Sequence, residues 1–526
     1  MKSQRPPVSI PDEPLTFPLR RAAGEFPDKI AVITPEAERK EYTYRWLEDA
    51  SSRLAASLAG LGVSPGDRVG LWLKNGVEYI LSFYGILKAG GIIVPMSTHY
   101  GEREVLHQLN VTGAIGIVSS DDRYVQAAGL SEARAGLRFR IADGEGAAPP
   151  GTVRFAGLLR GNDLLDRSIG IDPAETLAVL PFSSGTTGLP KGVMLTHTNL
   201  MSNLHQICQA HEVREGDLFM NQLPFFHIYG MTVLMGSSIL AGATQVLASR
   251  FRPVDEFLAL FERYRPTLFL TVPLILQEFC HHPKVPGMDW SRMRYVNTGG
   301  APMSPELQER FRQLTGVTVI QGYGLTESSP TTHVVPLDRI RVGTIGTPIS
   351  LTEDRIADPE TGRELPPGEV GELWVRGPQV MKGYYQDPEA TARTLVDGWL
   401  RTGDLARRDE EGYVVIVDRL KELIKTNGFQ VAPAEIEHIL VGHPDVRDAA
   451  VIGVQHPDHG EVPVAFVVRK EGAAVTGEEL IDFAAKGLAK YKRLSRVMFV
   501  GAIPRSASGK ILRRVLKESP PVPKQV

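Results

Sequence analysis

The sequence predicts an α/β protein: a large N-terminal part with parallel-rich sheets, a β-barrel-like subdomain, and a small mobile α+β domain at the C-terminus. Three observations lead there. Helix-period and strand-period segments alternate over 43–94 and again over 177–321, and after about Pro336 short strands are separated by turn sequences. A length of 526 residues, 42% hydrophobic and 23% charged, also exceeds one ordinary core.

In the first stretch Leu47 to Leu61 is amphipathic, Gly62-Val-Ser-Pro-Gly66 reads as a turn, Arg68 to Leu73 as a strand and Val77 to Lys88 as a second helix. The glycines at 60, 62 and 66 imitate a dinucleotide fingerprint but follow a helix and precede a strand. Phosphate binding at a helix N-terminus requires the opposite order.

In the second stretch Leu177 to Phe182 is a buried strand, and Asn199 to Ala210 is a helix with Thr198 as its cap. The strand Thr267 to Thr271 precedes a helix begun by Pro273; after the strand Arg294 to Asn297, Ser304-Pro305 opens another helix before the strand Val317 to Gln321. Such alternation places ligands at the strands' C-terminal ends. The uncharged stretch Ile228 to Ser249 is long enough for a membrane span, but Ala241-Gly242-Ala243 divides it into a buried helix and a strand.

Further on, Asp358-Pro-Glu-Thr-Gly362, Pro366-Pro-Gly368 and Asp409-Glu-Glu-Gly412 are turns of a β-rich region. Beyond Asp418 come the helix Ala434 to Leu440, strands Val446 to Val454 and Val462 to Arg469, the helix Glu478 to Leu488 and the strand Arg496 to Val500. The expected division is an N-terminal domain over 1–418, with subdomains of about 1–170, 171–335 and 336–418, and a mobile domain over 419–526.

A net charge of -3 gives no broad reason to hold nucleic acid. Cys208 and Cys280, without metal or redox spacing, read as core residues in a reducing compartment. Met1-Lys-Ser-Gln-Arg-Pro-Pro7 has no apolar run behind it, which argues against a secretory signal, so a cytoplasmic location is expected. A homodimer is left open.

Chemistry concentrates in three places. The segment Ser183-Ser184-Gly185-Thr186-Thr187-Gly188-Leu189-Pro190-Lys191-Gly192 combines hydroxyls and glycines, which let backbone close around phosphate oxygens, with one lysine as a point charge. It does not satisfy G-x-x-x-x-G-K-[ST] and leads into a strand, which disfavours ordinary P-loop enzymes. Gln321-Gly322-Tyr323-Gly324-Leu325-Thr326-Glu327 supplies a Thr-Glu pair, and Gly509-Lys510 a lone lysine near the end. Together they suit a nucleoside triphosphate and its magnesium.

These segments, with Arg401-Thr-Gly-Asp404, Asp418-Arg419 and Pro504-Arg505 to Lys510, resemble in order and wording the acyl-adenylate-forming superfamily. Its members include acyl-CoA synthetases, adenylation domains of peptide synthetases and firefly-type luciferases. The resemblance runs from about Phe17 to Leu516 and implies ATP, Mg2+ and coenzyme A as reactants. The chemistry is consistent: a carboxylate is a poor acyl donor until attack on the α-phosphate of ATP gives it AMP as leaving group. Donors aimed at the charge building there lower the barrier.

The resemblance assigns roles residue by residue. Lys510 acts on the α-phosphate in place of the surface lysine it could otherwise be. Lys191 and the loop Ser183, Ser184, Gly185, Thr186 and Thr187 hold phosphate; Glu327, helped by Ser183, holds magnesium; Thr326 touches the α-phosphate. Asp404 accepts both ribose hydroxyls with Arg419 nearby. Gly299, Gly300, Ala301 and Pro302 wall the adenine and acyl pocket with Gln321, Gly322, Tyr323 and Gly324. Lys421 stands at the hinge, and Lys425 and Gln430 approach the adenylate. Gly428 stands where a pantetheine arm passes; a turn glycine is the equal alternative. The small domain would reorient between the two half-reactions.

Pro224-Phe-Phe-His-Ile-Tyr-Gly230 resembles the acyl-pocket segment of fatty-acid and hydroxycinnamate CoA ligases. No acid follows before Asp255 to pair with a substrate ammonium, so amino acids are disfavoured. His227 reads as a gate to the thiol tunnel, with a packed core histidine as the alternative. Ile228, Tyr229, Met231, Val233 and Met235 form an apolar lining that suits an alkyl chain or an aryl ring; a medium or long fatty acid is the favoured reading, an aryl acid the second. Loading of a carrier protein, a non-catalytic acyl-nucleotide sensor and oxidative luminescence remain competing functions.

Overall fold

The computed structural model describes residues 1–35, 39–121, 136–144, 148, 151–183, 190–248, 250–426, 429–456, 459–506 and 509–518. The chain forms two compact units: one of Met1–Val342, Gly346–Glu353 and Val375–Leu400, the other of Gly343–Ile345, Asp354–Trp374 and Arg401–Val526.

The first unit holds two sheets, each of nine strands among the described residues. One runs in the order Thr347–Pro348, Thr331–Val334, Val319–Gly324, Tyr295–Thr298, Leu268–Thr271, Leu218–Asn221, Thr244–Leu247, Ile30–Thr34, Lys40–Thr43. From Val319–Gly324 to Ile30–Thr34 the neighbours are parallel, with antiparallel pairs added at both ends. The other centres on parallel Arg68–Trp72, Ile92–Pro95 and Gly116–Ser119, and reaches through Leu177–Val179 to the antiparallel strand Lys191–Thr196 and then Gly383–Tyr384. Each sheet therefore draws strands from both sides of residue 170.

Central parallel strands are covered on both faces, which is why Leu268–Thr271 and Tyr295–Thr298 are buried at every position. Phe257, Phe261, Phe279 and Trp290 pack with Phe269 as one aromatic cluster, with centroids from 4.8 to 6.3 Å apart. Both cysteines are free, and burial pushes Cys208 up to about 12 and Cys280 up to about 11, which leaves them unreactive.

Three details differ from expectation. The stretch read as one strand over Leu177 to Phe182 is two, Leu177–Val179 and Phe182–Ser183. The helix His197–Ala210 begins earlier than expected and is capped by Thr196, not Thr198. Asn199 explains the shift: its N–H donates to Thr196 Oγ1 at 3.1 Å while its Oδ1 accepts from Thr196 N at 3.0 Å. The uncharged stretch does divide at Gly242, but its helical part is a π-helix over Tyr229–Gly236 continued by Ser237–Leu240, before the strand Thr244–Leu247. Among the described residues no helix is long and apolar enough to cross a membrane.

In the second unit the strands Gly371–Arg376, Trp399–Arg408 and Val414–Arg419, which begin or end across the division in places, form an antiparallel curl. The C-terminal sheet runs Phe429–Val431, Ile424–Thr426, Gly460–Arg469, Val446–His456, with Arg496–Phe499 parallel to Gly460–Arg469. The helices Pro433–Val441 and Gly477–Ala485 contribute Ile436, Leu440, Leu480 and Ala484 to a core with Val451, Ala465 and Val467 of the sheet.

Candidate active site

In the first unit the lysine-bearing segment is a strand-to-strand connection. Phe182–Ser183 pairs antiparallel with Lys191–Thr196, and Ser183 and Lys191 are direct partners. Ser184, Gly185, Thr186 and Thr187 lie outside the described residues. Lys191 Nζ sits 3.0 Å from Asp387 Oδ2 and 5.3 Å from the centroid of the Tyr384 ring. Asp387 caps the helix Pro388–Thr394 through Ala390 N–H, and that bond together with Lys191 holds its carboxyl below the usual range.

Thr326 and Glu327 occupy a single 3-10 turn at the C-terminal end of the parallel strand Val319–Gly324. The turn is tight because Leu325 N–H donates to Pro330 O at 3.0 Å, which brings the Pro330 carbonyl over Gly324. A Cβ at Gly324 would stand 2.0 Å from that oxygen. Tyr384 O–H donates to Glu327 Oε1 at 3.0 Å, Met381 N–H donates to Glu327 O at 2.9 Å, and Tyr385 N–H to Gly192 O at 2.8 Å. One segment, 381–387, thus fastens the glutamate to the lysine strand. Burial and the Glu327 carboxylate raise the Tyr384 phenol well above its ordinary range, so it remains a donor.

The candidate acyl pocket gathers at the ends of neighbouring parallel strands. Tyr229 O–H donates to Thr271 O at 3.1 Å and accepts from Asn297 Nδ2 at 3.1 Å, fixing the ring. A Cβ at Gly299 would lie 3.4 Å from that ring and 3.3 Å from Gly322 O, so Gly299 and Gly322 crowd the same edge. Among the described residues Asn297 Oδ1 is buried without a hydrogen-bond partner. Ile228 and Met231 are buried beside Tyr229, and Gln321 and Tyr323 belong to the strand that follows Gly299 in the sheet. Gly300 adopts φ +78°, and Ala301 and Pro302 follow it toward the surface. His227 is partly buried and accepts from Tyr229 N–H at Nδ1, 3.2 Å, which leaves its proton on Nε2. Burial pushes its imidazole down to about 4, so it is neutral at pH 7.

The second unit carries Asp404, buried at 3% exposure, directly opposite Arg419 in the antiparallel pair, with Arg419 Nε 3.1 Å from Asp404 Oδ1. Gly403 precedes it at φ +71° with no atom near its missing Cβ, so backbone conformation alone calls for glycine there. Leu420 N–H donates to Gly403 O at 2.9 Å, which ties the strand beside Asp404 to the segment containing Lys421. Lys421 and Lys425 are exposed; Lys425 pairs with Gln430 across the hairpin of Ile424–Thr426 and Phe429–Val431, and Gly428 lies outside the described residues.

Lys510 is held in a turn: its N–H donates to Ser506 Oγ at 3.2 Å, and Ser506 N–H donates to Lys510 O at 2.8 Å. Arg505 anchors the turn through Asp448 at 2.7 Å and Gly509 O at 2.9 Å. Burial and the Arg419 guanidinium push Lys510 down to about 8, against the opposite pull of Glu422 and Asp404.

Sequence reasoning missed Tyr384, Asp387 and Asn297. Asp387-Pro388 carried a legible cap signal; the other two are ordinary strand residues whose partners are distant in sequence.

A family profile described as "AMP-binding enzyme" matches residues 19–385, and one described as "AMP-binding enzyme C-terminal domain" matches 435–510. The chain is 38% identical to 4-coumarate--CoA ligase 2 of Nicotiana tabacum over 98% of its own length and 96% of the relative's. ATP-bound MatB from Rhodopseudomonas palustris is similar with a TM-score of 0.88 and 31% identity, covering 96% of this chain and 98% of that one. The anthranilate CoA ligase AuaEII in complex with anthranoyl-AMP is similar with a TM-score of 0.90 and 27% identity, covering 97% and 98%.

Proposed function

Because this chain belongs to the acyl-adenylate-forming superfamily and is an AMP-forming acid:CoA ligase, we propose that its substrate is an aromatic acid of the hydroxycinnamate or benzoate kind. The favoured reading from sequence was a fatty acid; the aryl alternative now has the better support. The observation that carries it is the pocket edge made by Tyr229, Asn297, Gly299 and Gly322. Tyr229 is tied at its hydroxyl on two sides, and a fixed ring between two parallel strands resists the deep extension a long alkyl chain needs. Glycines beside it leave a flat face, and the unpartnered Asn297 Oδ1 would accept from a ring hydroxyl. The similarity to ligases named for 4-coumarate and anthranilate points the same way.

In the first half-reaction the substrate carboxylate oxygen attacks the α-phosphorus of ATP, an O–P bond forms, and the bond to pyrophosphate breaks. Lys510 stabilises charge at the α-phosphate, Lys191 and the Ser183 loop hold the leaving phosphates, Thr326 touches the α-phosphate and Asp404 holds the ribose. A single carboxylate, Glu327, among hydroxyls fits Mg2+, which keeps waters and shares substrate phosphates. That ion would neutralise charge on the phosphates. In the second half-reaction the coenzyme A sulfur attacks the acyl carbon, AMP leaves, and the thiol proton is released. Lys425, Gln430 and Gly428 would face the adenylate and the thiol arm, with His227, neutral and carrying its proton on Nε2, between pocket and tunnel.

The test is pyrophosphate release over hydroxycinnamates, benzoates and fatty acids, each with ATP, Mg2+ and CoA. An aryl acid should give the highest kcat/KM; a preference for a fatty acid would overturn the substrate reading, and a sample that never forms AMP would overturn the whole scheme.

A further inference from the structure

Glu372 lies on the strand Gly371–Arg376, beside the strand Trp399–Arg408 that carries Asp404. It is a carboxylate at 2% exposure, and a buried carboxylate must be fully accounted for by partners. Its partners are specific. Oε1 accepts from Gly403 N–H at 3.0 Å; Oε2 accepts from Arg401 Nε at 3.0 Å and from Trp374 Nε1 at 2.9 Å, with Arg401 Nη2 at 2.8 Å. Two of its donors therefore belong to the stretch 401–404 of the strand Trp399–Arg408. Thr402 completes the arrangement from the other side, donating to Leu373 O at 2.6 Å and accepting from Asp404 N–H at 3.1 Å. Trp374, stacked against the Arg401 guanidinium at 5.2 Å, seals the group from solvent.

We propose that Glu372 is a positioning residue for ribose recognition: it fixes the backbone at Gly403 and the Arg401 side chain so that Asp404 is held ready for both ribose hydroxyls before nucleotide arrives. The proposal rests on the reading of Asp404 as the ribose acceptor. Glycine at 403 makes the need plain, because a residue at positive φ without a side chain has no packing to hold it, and only the hydrogen bonds from its neighbours do. A misplaced carboxylate costs selectivity more than binding, since the hydroxyl contacts depend on direction and distance.

Glu372→Gln keeps the volume but replaces one acceptor oxygen by an N–H donor, set against donors on every side. Pyrophosphate release is measured with ATP, 2′-deoxyATP and 3′-deoxyATP, and the kcat/KM ratio is the readout; thermal melting verifies that each variant is folded. The wild-type chain should prefer ATP by roughly 10- to 100-fold, the worth of one or two hydrogen bonds to a charged acceptor. Asp404→Ala should bring the ratio near one. Glu372→Gln should fall most of the way to it although Asp404 is intact, and Thr402→Val should do the same. Either variant, folded and with the wild-type ratio, overturns the proposal. A wild-type chain indifferent to the deoxynucleotides, with Asp404→Ala equally indifferent, overturns the ribose reading beneath it.

Discussion

The hydroxyl of Tyr384 donates to Glu327 Oε1 at 3.0 Å, while the same tyrosine's ring lies 5.3 Å from Lys191 Nζ. One side chain from a third segment thus orders both a carboxylate suited to a metal ion and a lysine suited to phosphate. Removing its hydroxyl should misplace Glu327 without unfolding the unit. Tyr384→Phe is expected to lower adenylation about tenfold, the worth of one hydrogen bond to a charged group. Titration of pyrophosphate release against Mg2+ should show a raised half-saturating concentration; an unchanged titration would refute the role.

Lys510→Ala should reduce acyl-adenylate formation by roughly 10²- to 10³-fold, the scale of one lost transition-state donor. Supplied acyl-adenylate should still be converted to thioester. Equal losses in both half-reactions would contradict the assignment.

The depressed pKa of Lys510 gives a pH signature. If Lys510 acts on the α-phosphate as proposed, its charged form is the active one; in the free enzyme that form is lost as pH rises through about 8, so kcat/KM for adenylation should decline above that value. The decline is not unfolding by this group. Its folded pKa lies below that of an unfolded lysine, so between the two values the native state binds fewer protons and the group's contribution to stability rises with pH. Lys510→Arg, charged throughout, should lack the alkaline limb even if its rate is low.

Two glycines near the pocket should respond differently. At Gly324 an added methyl meets the Pro330 carbonyl at 2.0 Å, so Gly324→Ala should destabilise the fold by about 1–3 kcal/mol and displace Thr326 and Glu327 with it. At Gly299 the nearest atoms are the Gly322 carbonyl at 3.3 Å and the Tyr229 ring at 3.4 Å, a tight fit and not a clash, so Gly299→Ala should lower melting less than Gly324→Ala and raise KM for aryl acids. Thermal melting and steady-state kinetics with one acid separate the two.

Much of this protein was written locally. The helix Val77–Lys88, the strand-helix start at Pro273 and the cap at Ser304 follow from periodicity and from residues within one turn of each other. The candidate segments were legible for a similar reason: hydroxyls, glycines and a lone lysine at fixed spacing suit phosphate chemistry whatever the fold. Thr198 was mistaken for the cap because two threonines flank the helix start, and only the reciprocal bond with Asn199 distinguishes Thr196.

What sequence alone determined, then, is the reaction class and the order of its working segments, because these depend on residue type and near neighbours. Tertiary structure decided the supporting contacts: Tyr384 on Glu327 across 57 positions, Asn297 on Tyr229 across 68, Glu372 on Gly403 across 31. Such bonds join segments that meet only when the sheets assemble, and their energy depends on distance and direction, which no linear pattern encodes.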